Sequence, residues 1–346
     1  MARKNIPVDA AMTDRRVPGR RRILLTVVTV LVSLPLEAAG WKVSIREFDV
    51  PTAGSRPHDP GVAPDGSLWY TGQLANKMGR LDPKTGTIRE FSLPRPESGP
   101  HGLAADRYGN MWFTANSAGY IGKLDPRTGR VTEYAMPEPR ARDPHSLAFA
   151  ADGRIFFTVQ GGNFVGRLDP KTGKVSLEEV PTPRAHPYGI VVGSDGAAYF
   201  CEFGSNRIGR IDPDTLQIRE FALPEGARPR RIATNRDGSL YFSDFARGFI
   251  GRLDPKGGKV EEWASPGGSS SRPYGIASTP DGTVWYSESG VEPNTLVAFD
   301  PRTKKFQHWP IPSGGGVVRN MVATPDGRLY LACSGVNKVA VAETSQ

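Results

Sequence analysis

The sequence predicts an all-β fold, a seven-bladed β-propeller of four-stranded antiparallel blades whose ring is closed by an N-terminal strand completing the last blade. Two observations carry this. A glycine, usually in Asp-Gly, recurs at Gly66, Gly109, Gly153, Gly196, Gly238, Gly282 and Gly327, spaced 42 to 45 residues apart, with an aromatic three residues after each, from Trp69 and Trp112 to Tyr330. A GRLDP-like run then follows at 79–83, 122–126, 166–170, 209–213 and 251–255, with a degenerate copy at 298–301. A period in the low forties built from short β-type runs is that of a propeller blade.

The second repeat shows the elements of one blade. Residues 101–105 form a first strand ending in the turn at 106–109, and the apolar and aromatic run 110–114 forms a second. Residues 120–124 form a third, closed by the turn Asp125-Pro126-Arg127-Thr128-Gly129. The alternating stretch 131–136 is the fourth, ended by Pro137, which cannot donate to a ladder.

Ring closure follows from counting fourth strands. The pattern apolar-x-Glu-aromatic-x-x-Pro recurs near Glu90, Glu133, Glu220, Glu262 and Trp309, with a looser copy at 177–181. That is one copy short of the glycine repeats. The last repeat stops after its third strand, near 339–341, and the missing copy stands at the front, Ile45-Arg46-Glu47-Phe48-Asp49-Val50-Pro51. Without it the last sheet would keep an unpaired edge.

Residues 1–40 lie outside this pattern. Arg15-Arg16 and Arg20-Arg21-Arg22 precede an apolar run at 23–36 and then Ala38-Ala39-Gly40, the order of a secretory signal and similar to a twin-arginine export motif. The apolar run is short for a membrane span. The expectation is a leader at 1–40 and one propeller domain at 41–346, periplasmic or secreted, with no stable membrane span once the leader is cleaved; an uncleaved anchor is the alternative. The chain's net charge is +8, of which residues 1–40 carry half. The remaining basic residues are spread through the turns, so nucleic acid is excluded as the main partner. Cys201 and Cys333 fall in second strands of blades far apart on the ring, and two free thiols are expected.

Propeller sites usually lie where first strands begin and second strands end, around the channel. Eight residues before each reference glycine the chain reads His58, His101, His145, Tyr188, Arg230, Tyr274 and Arg319, six of them preceded by proline. None is aliphatic. Second-strand ends carry the acids Glu202, Asp244 and Glu288 in blades 4 to 6, and amides including Gln160 in blades 1 to 3. Imidazoles suit proton transfer near neutral pH. Arg230 and Arg319 suit an oxyanion. The acids suit ion pairing with those arginines or oxygen ligation of a cation. Structural capping between blades is the competing account of the ring. As mouth residues, the histidines are expected to carry little packing.

The repeat Pro-His-Gly-Leu-Ala, Gly-Asn-Met-Trp-Phe-Thr, Ile-Gly-Lys-Leu-Asp-Pro, Thr-Glu-Tyr resembles the virginiamycin B lyase (streptogramin B lyase) family over residues 43–342. The resemblance implies a monomeric seven-bladed propeller that opens a cyclic depsipeptide by eliminating its ester, with Mg²⁺. It implies His101 and His145 as the catalytic pair, His145 as base; the offset at the channel mouth makes His58, Tyr188, Arg230, Tyr274 and Arg319 the expected substrate-binding residues. It implies Asp143, two residues before His145, as the metal-associated acid, and Gln160 at the second-strand end where the family carries Glu. A small-molecule or peptide-like ligand at the channel mouth is the expected partner. Two other readings stay open: a non-catalytic binding propeller, and a gluconolactonase-like lactone hydrolase with Ca²⁺ on Glu202, Asp244 and Glu288.

Overall fold

The computed structural model describes residues 40–345, and the leader expected at 1–40 lies, but for Gly40, outside them. Among the described residues there are seven sheets, each of four antiparallel strands. Blade 1 is Pro57–Val62, Leu68–Gly72, Lys77–Leu81 and Ile88–Ser92. Blade 2 is Pro100–Ala105, Met111–Ala115, Tyr120–Leu124 and Val131–Ala135, within a residue of the expected bounds. The N-terminal strand Lys42–Asp49 pairs along its whole length with Lys338–Ser345, from Lys42 opposite Ser345 to Asp49 opposite Lys338. It is the outermost strand of blade 7 and closes the ring as expected. Cys201 and Cys333 are buried and free. Among the described residues no helix is long and apolar enough to cross a membrane.

The repeated residues each have a local task. Asp106 accepts from the backbone N–H of Tyr108 and Asn110 and from Trp112 Nε1 at 3.0 Å, so it fixes the first turn and the following aromatic together. Phe113 lies flat across Gly122 on the third strand, where a Cβ would come within 2.2 Å of the ring. That close approach explains the glycine of the GRLDP run. The core is the set of layers between neighbouring sheets: Trp69 and Met78 of blade 1 pack with Leu103, Met111 and Phe113 of blade 2.

A feature of the first strands positions the site. In every blade the register shifts between the first residue of the inner strand, a proline in six blades and Val318 in blade 7, and the residue three further on, as between Pro100 and Leu103. This bulge takes two consecutive residues off the ladder. A second-strand hydroxyl repairs the lost pairing: Thr114 Oγ1 accepts from Gly102 N and donates to His145 O of the next blade, both at 2.7 Å. Thr71, Thr158, Ser243 and Ser287 repeat the link.

Candidate functional site

Because the bulge turns two successive residues inward, the channel carries two layers of side chains. The upper layer is the ring expected from the sequence. His58 and His101 stack with centroids 3.6 Å apart, His101 and His145 at 3.9 Å, and His145 and Tyr188 at 3.9 Å. Tyr188 and Tyr274 meet through their hydroxyls at 2.6 Å. The Arg230 guanidinium lies 3.7 Å from the Tyr274 ring centroid and 4.3 Å from that of Phe245. The two candidate catalytic histidines are therefore together on one face.

They are also packed. His58, His101 and His145 are only 2–3% exposed. The expectation that they carry little packing is overturned, because adjacent blades bring the rings into van der Waals contact. Burial first, then the Arg231, Arg319, Arg56 and Arg230 guanidiniums, holds the His58 imidazole well below its ordinary range. Burial and neighbouring imidazoles, with Arg231, do the same for His101 and His145. All three are neutral near pH 7. Burial pushes the Tyr188 phenol up, but Arg230 and Arg231 outweigh it and bring the phenol below its ordinary range.

The lower layer went unread in the sequence. The residue after each ring position is Asp59, Gly102, Ser146, Gly189, Arg231, Gly275 or Asn320. Asp59 of blade 1 and Arg231 of blade 5 form a buried two-pronged ion pair across the channel, at 2.6 and 3.1 Å. Arg231 also donates to Ser146 Oγ at 3.1 Å, and Ser146 Oγ meets His145 Nδ1 at 3.0 Å. His58 Nδ1 is 2.9 Å from Asp59 Oδ1. With a neutral ring and an ionised acceptor, Nδ1–H donates and Nε2 is left as the acceptor. Opposite charges one residue past the ring position in blades 1 and 5 were the available signal. Below the pair, a cavity of about 400 Å³ runs between the first strands.

The acids expected at the mouth turn away from it. Asp244 accepts from Arg228 N at 3.0 Å and from Arg247 Nε at 2.6 Å. Glu288 accepts from Gly267 N at 2.6 Å and Thr295 Oγ1 at 2.7 Å. Glu202 accepts from Ser205 Oγ at 2.7 Å, and burial, with Glu220 beside it, pushes its carboxyl up to about 8. None pairs with Arg230 or Arg319. Each ends its own blade's loops, because a second-strand end is also a loop that needs capping.

A divalent cation does not fit the residues present. Asp143 is engaged by the backbone N–H of Gly161 and, at 3.1 Å, of Gly162. Gln160 brings a neutral amide, in a cavity of about 620 Å³ lined also by Arg184, His186, Phe203 and Arg228. Among the described residues one group clusters at ligand spacing, His58, Asp59 and His101, within 4.8 Å. Its single carboxylate is held by Arg231, so a cation there would displace a guanidinium. His308 lies exposed on an outer strand.

The sequence profile of the virginiamycin B lyase family matches residues 38–291. No curated protein matches the chain. A solved streptogramin B lyase is similar at 29% identity and a TM-score of 0.80, over 88% of this chain and 98% of that one. The virginiamycin B lyase of Staphylococcus aureus is similar at 26% identity and a TM-score of 0.79, over 87% of this chain and 99% of that one. A catalytically inactive histidine-to-alanine variant of that enzyme, solved with quinupristin, is similar at 26% identity and a TM-score of 0.78, over the same shares.

Proposed function

The chain belongs to the virginiamycin B lyase family, and from that premise we propose that it opens an ester-bearing or lactone compound by C–O elimination at the channel mouth. The observation that carries this reading is the His101–His145 pair, 3.9 Å apart and held neutral beside guanidiniums. In elimination a base removes a proton from the carbon next to a carbonyl. The electron pair becomes a C=C bond, the C–O bond breaks, and a carboxylate leaves. No water is consumed. A neutral imidazole at His145 is the base, and His101 meets the ester. A guanidinium from Arg230 or Arg319 offsets the charge that builds on the carbonyl oxygen. No step is assigned to a metal, since the carboxylates are committed elsewhere.

A second reading, ligand binding without turnover, is favoured by the low exposure of the same imidazoles. Incubation with a panel of cyclic depsipeptides and lactones, read by mass spectrometry, separates the two. Elimination leaves a ring-opened product of unchanged mass, absent with His145→Ala. A product heavier by one water would instead mean hydrolysis. Compounds that bind the folded protein and emerge intact would leave only the binding reading. We further propose that the protein is exported after removal of residues 1–40, so that native protein starts close to Trp41; an intact Met1 terminus in the cytoplasm would count against it.

A further inference from the structure

Many outer arginines have an acid. Arg80 meets Asp65 at 2.6 Å, Arg154 meets Asp152 at 2.5 Å, and Arg328 meets Asp326 at 2.7 Å. Three arginines at the mouth have none. Arg56 and Arg319 make no side-chain hydrogen bond or ion pair among the described residues, and the one bond from Arg230 goes to the Tyr188 hydroxyl at 3.3 Å. Nε of Arg230 and Nε of Arg319 are buried without a partner. The nearby carboxylate, Asp59, is already held by Arg231. The arginines feel one another: burial first and then Arg319 bring the Arg56 guanidinium below its ordinary range.

The backbone reinforces the point. Two residues before the ring position, blade 2 has Gly99 at φ 58°, a left-handed conformation that glycine adopts without hindrance. At the same offset blades 1, 4 and 6 hold Arg56 at φ 53°, His186 at φ 48° and Arg272 at φ 48°, side chains kept where glycine would be easier. Converging like charges with buried, unpaired donors lowers stability, and an anion is the missing partner. Beside Arg230, Phe203 and Phe245 present rings 4.9 and 4.3 Å from its guanidinium.

We infer that the mouth binds a small organic anion, its carboxylate or phosphate received by Arg56, Arg230 and Arg319 and its apolar body laid against Phe203 and Phe245. This deepens the proposed function by naming the charge of the ligand, but it rests on the arginine geometry and not on turnover.

Calorimetric titration with benzoate, phenyl phosphate and neutral benzamide tests it. Saturable binding of benzoate or phenyl phosphate is expected, with none of benzamide, and the stronger of the two identifies the oxyanion. Binding should weaken at least tenfold in Arg319→Gln, whose side chain makes no bond the fold would miss. It should be unchanged in Arg127→Gln, an exposed outer-surface change. Failure of both anions to bind, equal binding of benzamide, or the same loss in Arg127→Gln would overturn the proposal. Anion binding without turnover on the ester panel retires the elimination reading alone; turnover without anion binding retires this one alone.

Discussion

At the scale of single residues, the channel is decided by a contest between burial and charge. His58, His101 and His145 are stacked, buried and neutral, so folding holds each imidazole below the range near 6.5 that it regains in the unfolded chain. The unfolded chain then binds more protons, and stability falls as pH drops below about 6.5. Melting temperature should decline from pH 7.5 to pH 5. His101→Gln should flatten that decline, whereas His308→Gln on the exposed surface should not; equal slopes in all three proteins would refute the assignment. The Asp59–Arg231 pair, its two side chains 4–5% exposed, gives a second test. Asp59→Asn should cost about 3–5 kcal/mol, because it leaves a buried guanidinium without its counter-charge. Asp59→Leu with Arg231→Met should cost much less than the two single changes together, read by denaturant unfolding.

At the scale of elements, the first-strand bulge is the device that makes a channel site. It frees two side chains per blade but strands a backbone N–H, and the second-strand hydroxyl recovers it while gripping the next blade. Thr114→Val keeps the shape and removes both bonds, leaving the Gly102 N–H buried without its partner. The expected cost is about 2 kcal/mol or more, with a measurable loss of any ligand binding that depends on His145. A variant as stable as the parent would mean the link contributes nothing. Blade 4 has Cys201 in the hydroxyl's place, so its grip on blade 5 lacks this link.

At the scale of the molecule, closure depends on two chain ends meeting. The N-terminal segment adds Trp41, packed edge-on to Trp285 at 6.2 Å, and Phe48, buried beside Tyr330 and Val339. Its Glu47 accepts from Ser313 N at 2.9 Å, tying blade 7's outer strand to the loop after blade 6. Removing residues 41–51 should cost about 5 kcal/mol or more and expose a sheet edge, so the truncated protein should melt far lower and aggregate. An unchanged melting temperature would show that the closure strand is dispensable.

The sequence by itself determined the blade number, the strand order, the closure by residues 45–51, the free thiols and the ring of seven side chains. Each of these follows from period and offset, which local chemistry repeats from blade to blade. The fate of each charged group was decided only in the tertiary structure. Asp59 and Arg231 stand far apart in the chain and meet because blades 1 and 5 face one another across a narrow channel. Asp143, Glu202, Asp244 and Glu288 have the offsets of site residues, yet loop N–H and hydroxyl groups a few Å away claim them first. Offset gives a side chain's place on the ring, but its partner depends on which neighbouring blade or loop reaches it, and no single repeat contains that information.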